Sequence, residues 1–250
     1  MTTHSIARTR AYTLAAYANR TMITSVRIAR RALPHSAIFA HRPFSCLSTS
    51  LLYIEGALPA PFSTPESFGL SVVADFLSVD EENALVSSAE AALNRRGWEE
   101  DHWDGVIKGY RESQVSKSRL APLAAQSISR AASTFPVGPR TGPLLNTIHF
   151  LELKAEGEIF AHVDSVKFSG GVVSGLCLLS DAVMELTPEP ACATKTPVRV
   201  LLRRRTLYTL SGAARYDWSH AILSGSPLFQ GVPVPRARRI SVMLRDEVII

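Results

Sequence analysis

The chain has 250 residues, room for one large domain or two small ones, and its 46% hydrophobic and 20% charged residues exclude wholesale disorder. No stretch approaches the ~18 apolar residues of a membrane-spanning helix, and the scattered Cys46, Cys177 and Cys192 form no CxxC pair, which argues against a disulfide framework or a structural zinc site. The net charge of +5 is local: residues 1–54 hold seven arginines, no lysine and no acid, leaving 20 basic against 22 acidic residues beyond them, so net charge gives no argument for a nucleic-acid partner.

In chain order, residues 1–54 are rich in Arg, Ser and Thr and free of acids, the composition of a mitochondrial transit peptide. Helical spacing sets Met22, Val26, Ala29 and Leu33 on one face and Arg20, Arg27 and Arg31 opposite, a cationic amphipathic helix. Arg42-Pro43-Phe44-Ser45 reads as a processing site, with cleavage after Phe44. Residues 55–68, with Gly56, Pro59, Pro61 and Pro65, read as a linker, and 69–250 as the functional domain. A strand is expected over 70–76. Ser78 and Glu81 have capping-box spacing, and Leu85, Ala89, Ala92 and Leu93 supply the stripe of a helix that stops by Gly97. A second helix is expected from Pro122 to about Thr134. From Leu144 the chain becomes short apolar runs at 144–154, 159–163, 171–180, 198–203, 206–210 and 239–246, spaced as in an antiparallel barrel or sandwich.

His162-Val163-Asp164 ends one of these strands. Residues i and i+2 of an extended chain point the same way, so the imidazole and the carboxylate can grip one metal ion. His220 supplies a third candidate ligand. Two histidines and a carboxylate on one face of an octahedron form the facial triad of non-haem iron(II) oxygenases. H-x-D alone is a weak signal, because His102-Trp103-Asp104 repeats it; that copy is expected to brace the helices against the barrel. What separates the two lies downstream. In Arg239–Arg245, Ile240, Val242 and Leu244 face one way, and Arg239, Ser241, Met243 and Arg245 the other. Two guanidinium groups beside a metal site suit a dicarboxylic co-substrate, which arginine binds with a bidentate fork. After His102-Trp103-Asp104 the next histidine is His149, and no paired-arginine strand follows at comparable distance. Arg203-Arg204-Arg205 reads as a solvated face and Cys177 as a core residue.

His162-x-Asp164, His220 and Arg239-x5-Arg245, in that order, resemble the AlkB-type iron(II)- and 2-oxoglutarate-dependent dioxygenases. The closer resemblance is to their mitochondrial AlkB-homologue subfamily. It rests on Asp101–Asp104, Gly109–Glu112, His162–Phe168, Arg215–His220 and Pro235–Val242, and spans about residues 68–246. It implies a mostly β fold with flanking helices and a double-stranded β-helix (jelly-roll) core. It implies Fe(II) held by His162, Asp164 and His220. 2-Oxoglutarate would be bound at its distal carboxylate by Arg239 with Ser241 and Tyr208, with Arg245 near its other end or the substrate. O2 is the other co-substrate. The products would be succinate, carbon dioxide and a hydroxylated carbon, or an N-demethylated nitrogen and formaldehyde.

Two departures from the nucleic-acid-repairing members matter. Their Asn-x-Tyr is replaced by Leu151-Glu152-Leu153, and Ser241 and Met243 stand where they carry Asn and Thr. The stretch from Asp104 to Leu144 has only Tyr110 and Phe135 as aromatics to clamp a flipped base. An RNA base, a protein side chain and a metabolite all stay open as substrate. The leader implies the mitochondrial matrix, and a monomer without an integral membrane segment is expected; the resemblance further implies a link to regulated necrosis and fatty-acid metabolism. The alternative is a non-catalytic or weakly catalytic regulatory module acting through a mitochondrial protein partner. A cupin-like metal hydrolase would leave Arg239 and Arg245 unexplained.

Overall fold

The computed structural model describes residues 53–189 and 196–249. The transit peptide expected over 1–54 lies outside the described residues except for its last two positions. The elements in chain order are β1 (Ile54–Glu55), α1 (Pro65–Phe68), β2 (Leu70–Val73), α2 (Val79–Leu93), β3 (Glu99–Asp101), β4 (Ile107–Ser116), a 3-10 turn (Lys117–Arg119) and α3 (Pro122–Ala132). They continue with β5 (Thr147–His162), β6 (Val173–Leu178), β7 (Ala182–Pro188), β8 (Val198–Leu202), β9 (Leu207–Leu210), α4 (Gly212–Tyr216), β10 (Trp218–Ile222), β11 (Leu228–Phe229), β12 (Val232–Pro233) and β13 (Arg239–Arg245).

Every pairing in the main sheet is antiparallel, in the order β1-β8-β7-β10-β5-β13-β6-β9-β2, with β4 also on β5. The sixteen-residue β5 joins two wings. Its first part pairs with β13, Met243 opposite His149 and Arg239 opposite Leu153; its end pairs with β10, His220 opposite His162. The two apolar runs at 144–154 and 159–163 are thus one strand. This curled sheet is the jelly-roll core expected from the sequence.

Alternation along the strands separates two cores. Ile148 and Phe150 of β5 and Ile240, Val242 and Leu244 of β13 face the helices, where they meet Leu85, Ala89 and Leu93 of α2 and Ile128 of α3. Each such buried aliphatic side chain contributes about 1.5–3 kcal/mol. Leu153, Cys177, Met184, Leu186, Tyr208 and Trp218 form the interior of the roll. α2 begins where its sequence says: Ser78 Oγ accepts from Glu81 N–H and the Glu81 carboxylate from Ser78 N–H. The helix expected to reach Thr134 ends at Ala132.

The stretch 55–68 is exposed at most positions but is tied to the roll at both ends. Glu55 pairs with Arg199, a Thr64–Ser67 capping box starts α1, and Phe68 is fully buried against Trp218. His102-Trp103-Asp104 does not brace the helices. It sits in the β3–β4 turn, where Asp104 Oδ1 meets His102 Nδ1 at 2.6 Å and accepts from Val106 N–H, while Trp103 is 89% exposed. Of the triple arginine, Arg204 binds the fully buried Glu82 at 2.7 and 2.8 Å, so that run anchors α2 to the sheet instead of only facing solvent.

Candidate metal and co-substrate site

β5 and β10 run antiparallel with His162 directly opposite His220, and their rings lie 4.4 Å apart. Asp164 follows two residues beyond the end of β5. One ligand atom from each of His162, Asp164 and His220 lies within 4.8 Å of the others. His162 Nδ1 donates to the Phe160 carbonyl at 2.9 Å, which leaves Nε2 as the free lone pair on that ring. His220 Nε2 lies 3.5 Å from Asp164 Oδ2. Burial, and then the neighbouring His162, push the His220 imidazole down to about 4, so it is neutral at physiological pH. Burial pushes the Asp164 carboxyl up, but Arg245 first, then His220 and His162, outweigh it and hold it at about 2. The neutral His220 imidazole and the ionised Asp164 carboxylate are in the protonation states that ligation requires.

Asp164 Oδ2 is buried and has no hydrogen-bond partner. Such an atom is costly unless something else satisfies it. An ion between Oδ2 and the two imidazoles does so, and a two-nitrogen, one-oxygen set fits iron(II).

Arg239 presents the same problem at larger scale. It is 1% exposed, and its guanidinium has no carboxylate partner among the described residues. One nitrogen reaches Cys177 Sγ at 3.9 Å and Nε has no partner. A buried, unpaired guanidinium asks for an anion. Ser241 and Tyr208 line the same pocket, which is narrow, with about 60 Å³ of interior space. Tyr208 Oη reaches only Met243 Sδ, at 3.6 Å, and burial raises its pKa above the ordinary tyrosine value. Gly175 makes room for this ring, since a Cβ there would lie 2.4 Å from the Tyr208 ring.

The alternation expected along 239–245 is realised: Arg239, Ser241, Met243 and Arg245 all line the pocket. Arg245 has a more specific contact than the sequence suggested, donating to Asp164 Oδ1 at 3.1 Å. Leu151 lines the pocket, but Leu153 lies in the interior core; the polar residue on this wall is His149. Its Nε2 is 2.8 Å from Glu112 Oε2 and its Nδ1 3.4 Å from Arg245 Nη1. Arg215 opens the Arg215–His220 stretch. It is buried in the last turn of α4, donating to the Asp164 carbonyl and to Ser169 Oγ, each at 2.9 Å, and so pins the loop that carries Asp164. Ile107, Ile159 and Ile222 complete an aliphatic lining.

No protein-family model matches the chain. Among curated proteins, it is 44% identical over 174 residues to the mitochondrial alpha-ketoglutarate-dependent dioxygenase alkB homolog 7 of Bos taurus, covering 68% of this chain and 75% of that one. The Mus musculus protein of the same name is 44% identical over 175 residues, with the same coverage. The chain belongs to the AlkB homologue 7 family of dioxygenases. Solved structures of similar fold include OsALKBH1 (TM-score 0.51, 14% identity, 72% of this chain and 97% of that one) and a Pseudomonas putida prolyl-4-hydroxylase (TM-score 0.50, 14% identity, 73% and 95%). An AlkB homologue 7 dioxygenase uses Fe(II) and 2-oxoglutarate, with O2 as the expected oxidant. Both mammalian relatives are named mitochondrial. No helix among the described residues is long and apolar enough to cross a membrane.

Proposed function

We propose that His162, Asp164 and His220 hold the iron, that Arg239, Ser241 and Tyr208 hold the distal carboxylate of 2-oxoglutarate, and that the enzyme hydroxylates or oxidatively N-demethylates a C–H-bearing substrate in the mitochondrial matrix. The observation that carries this reading is the buried Arg239 guanidinium without a carboxylate partner, lining the same pocket as the three converging ligand atoms. Iron bound there supplies the redox chemistry that couples 2-oxoglutarate decarboxylation to C–H oxidation. The chain's own residues orient and exclude. His162 is fixed by its bond to the Phe160 carbonyl, Asp164 by Arg245 and Arg215. Arg239 sets the depth at which a five-carbon diacid stops, with the Ser241 and Tyr208 hydroxyls as additional donors. Ile107, Leu151, Ile159 and Ile222 keep water from the reacting carbon.

The aliphatic wall, with Tyr208 as its one aromatic outside the histidines, favours a slender uncharged reacting group over a stacked planar base. A protein side chain or a metabolite therefore stands ahead of an RNA base. The residues before the described part act as a transit peptide, the enzyme is a monomer, and its physiological setting is regulated necrosis and fatty-acid metabolism. The test is succinate release from 2-oxoglutarate with Fe(II) and O2. The native chain should turn over, and His162→Ala or Asp164→Ala should not; full turnover in either variant overturns the ligand assignment.

A further inference from the structure

A second concavity, of about 720 Å³, shares no residue with the pocket around His162. α2, β4 and the 3-10 turn line it. Ser88 and Ala92 are four residues apart on α2, hence on one helical face, and both are short, which leaves the groove open where larger side chains would fill it. Arg95 and Arg96 follow just past the helix end, and Arg119 enters from the turn. No acid among the described residues lines the groove. Among the described residues none of these three guanidinium groups has a hydrogen bond or ion pair. Elsewhere many arginines do pair, Arg111 and Arg238 with Glu152, Arg130 with Glu81, Arg199 with Glu185 and Arg204 with Glu82, although Arg203 and Arg239 have no carboxylate partner among the described residues.

The negative end of α2 accounts for part of this charge. A helix C-terminus carries about half an elementary charge, enough to favour Arg95 and Arg96 but not to balance three guanidinium groups. A solvated basic edge would also need nothing further. The second observation comes from Ser113. It is only 8% exposed, lines the groove on the face of β4 that looks at α2, and its hydroxyl has no hydrogen-bond partner among the described residues. The side chain is nearly buried, yet its hydroxyl is not among the fully buried polar atoms and stays open to a ligand. Three arginines and one unpaired hydroxyl therefore border the same space.

The geometry points to a groove that binds a small, multiply charged phosphate compound, separate from the dioxygenase pocket. Phosphate oxygens accept from several directions at once, whereas a carboxylate accepts in one plane, and the donors here come from a helix end, a strand and a turn. The volume is that of a small-molecule site. No aromatic residue lines the groove, so the phosphate chain is the recognised part and any attached base is not stacked.

The test is calorimetric titration of the full chain with inorganic tripolyphosphate at physiological salt, with adenosine triphosphate as a second arm. The native chain should bind both saturably and with similar affinity. Arg96→Glu combined with Arg119→Glu should weaken both by about tenfold or more, since each lost charge-assisted bond alone is worth that factor. Ser113→Ala should weaken them less. Circular dichroism and 2-oxoglutarate decarboxylation should be unchanged in all variants. No heat at millimolar tripolyphosphate, or equal binding by the double variant, overturns the proposal. So does nucleotide or RNA binding that tripolyphosphate fails to displace.

Discussion

Arg245 Nη2 lies 3.1 Å from Asp164 Oδ1, so the last strand of the roll holds one oxygen of the carboxylate whose other oxygen faces His220. The guanidinium that the resemblance set near the other end of the co-substrate or the substrate also pairs, in the folded chain, with a candidate metal ligand. It also carries the largest share of the attraction that keeps Asp164 ionised against burial.

The first prediction follows. Arg245→Gln removes the group that orients Asp164, and outer partners of metal ligands typically matter by about 10–100-fold in metal affinity. Iron(II) or manganese(II) affinity, measured by chelator competition, should fall within that range, while the KM for 2-oxoglutarate moves less. Unchanged metal affinity with a raised KM alone would return Arg245 to the co-substrate.

Arg239→Met makes the opposite split. It replaces a buried, unpaired cation by an apolar chain of comparable length, so the metal-free protein should be at least as stable as the native one by thermal melting. The KM for 2-oxoglutarate should rise about 10–100-fold, as expected for the loss of a charge-assisted pair worth ~1.5–3 kcal/mol. A destabilised variant with an unchanged KM would mean that Arg239 serves the fold and not a ligand.

The residues that could be read from the sequence are those whose partners are local or periodic. The Ser78–Glu81 capping box and the alternation of Arg239–Arg245 needed no tertiary information. β4 escaped because its side chains are polar on both faces: Arg111 is satisfied by Glu152 of β5 beneath α2, and Glu112 by His149 in the pocket. β7 escaped although its Val183, Met184 and Leu186 are buried, because Glu185, answered by Arg199 on β8, interrupts the apolar run. His149 was also invisible as a pocket residue. Only the register of β5 against β13, Met243 opposite His149, brings it beside Arg245.

Gly175 supplies a third prediction that needs no change to any polar group. Its Cβ would lie 2.4 Å from the Tyr208 ring, so Gly175→Ala must displace that ring or shift β6 against β9. Overpacking of this kind costs about 1–3 kcal/mol. The expected result is a lower melting temperature together with a raised KM for 2-oxoglutarate, because the Tyr208 hydroxyl leaves the pocket. A normal KM in a folded Gly175→Ala protein would show that Tyr208 is a packing residue.

The last prediction concerns the pair behind Arg245. Glu112 Oε2 and His149 Nε2 are 2.8 Å apart, and His149 Nδ1 is 3.4 Å from Arg245 Nη1, so orientation passes from β4 through β5 to β13 and on to Asp164. His149→Ala should lower kcat about tenfold with a smaller change in KM, since it loosens a positioning group and removes no co-substrate contact. Glu112→Gln keeps a hydrogen-bond acceptor for His149 and should retain most of the activity. The pH dependence of stability then separates charge from geometry. The hydrogen bond to His149 chiefly, against the opposing effect of burial, holds the Glu112 carboxyl below its ordinary 4.5. A carboxyl depressed by folding stabilises the folded chain above 4.5, and that contribution fades as pH falls through the lower folded value. The stability difference between the native chain and Glu112→Gln should therefore be full near neutrality and shrink on acidification below 4.5. A difference that stays constant across that range would mean the Glu112–His149 contact contributes through shape alone.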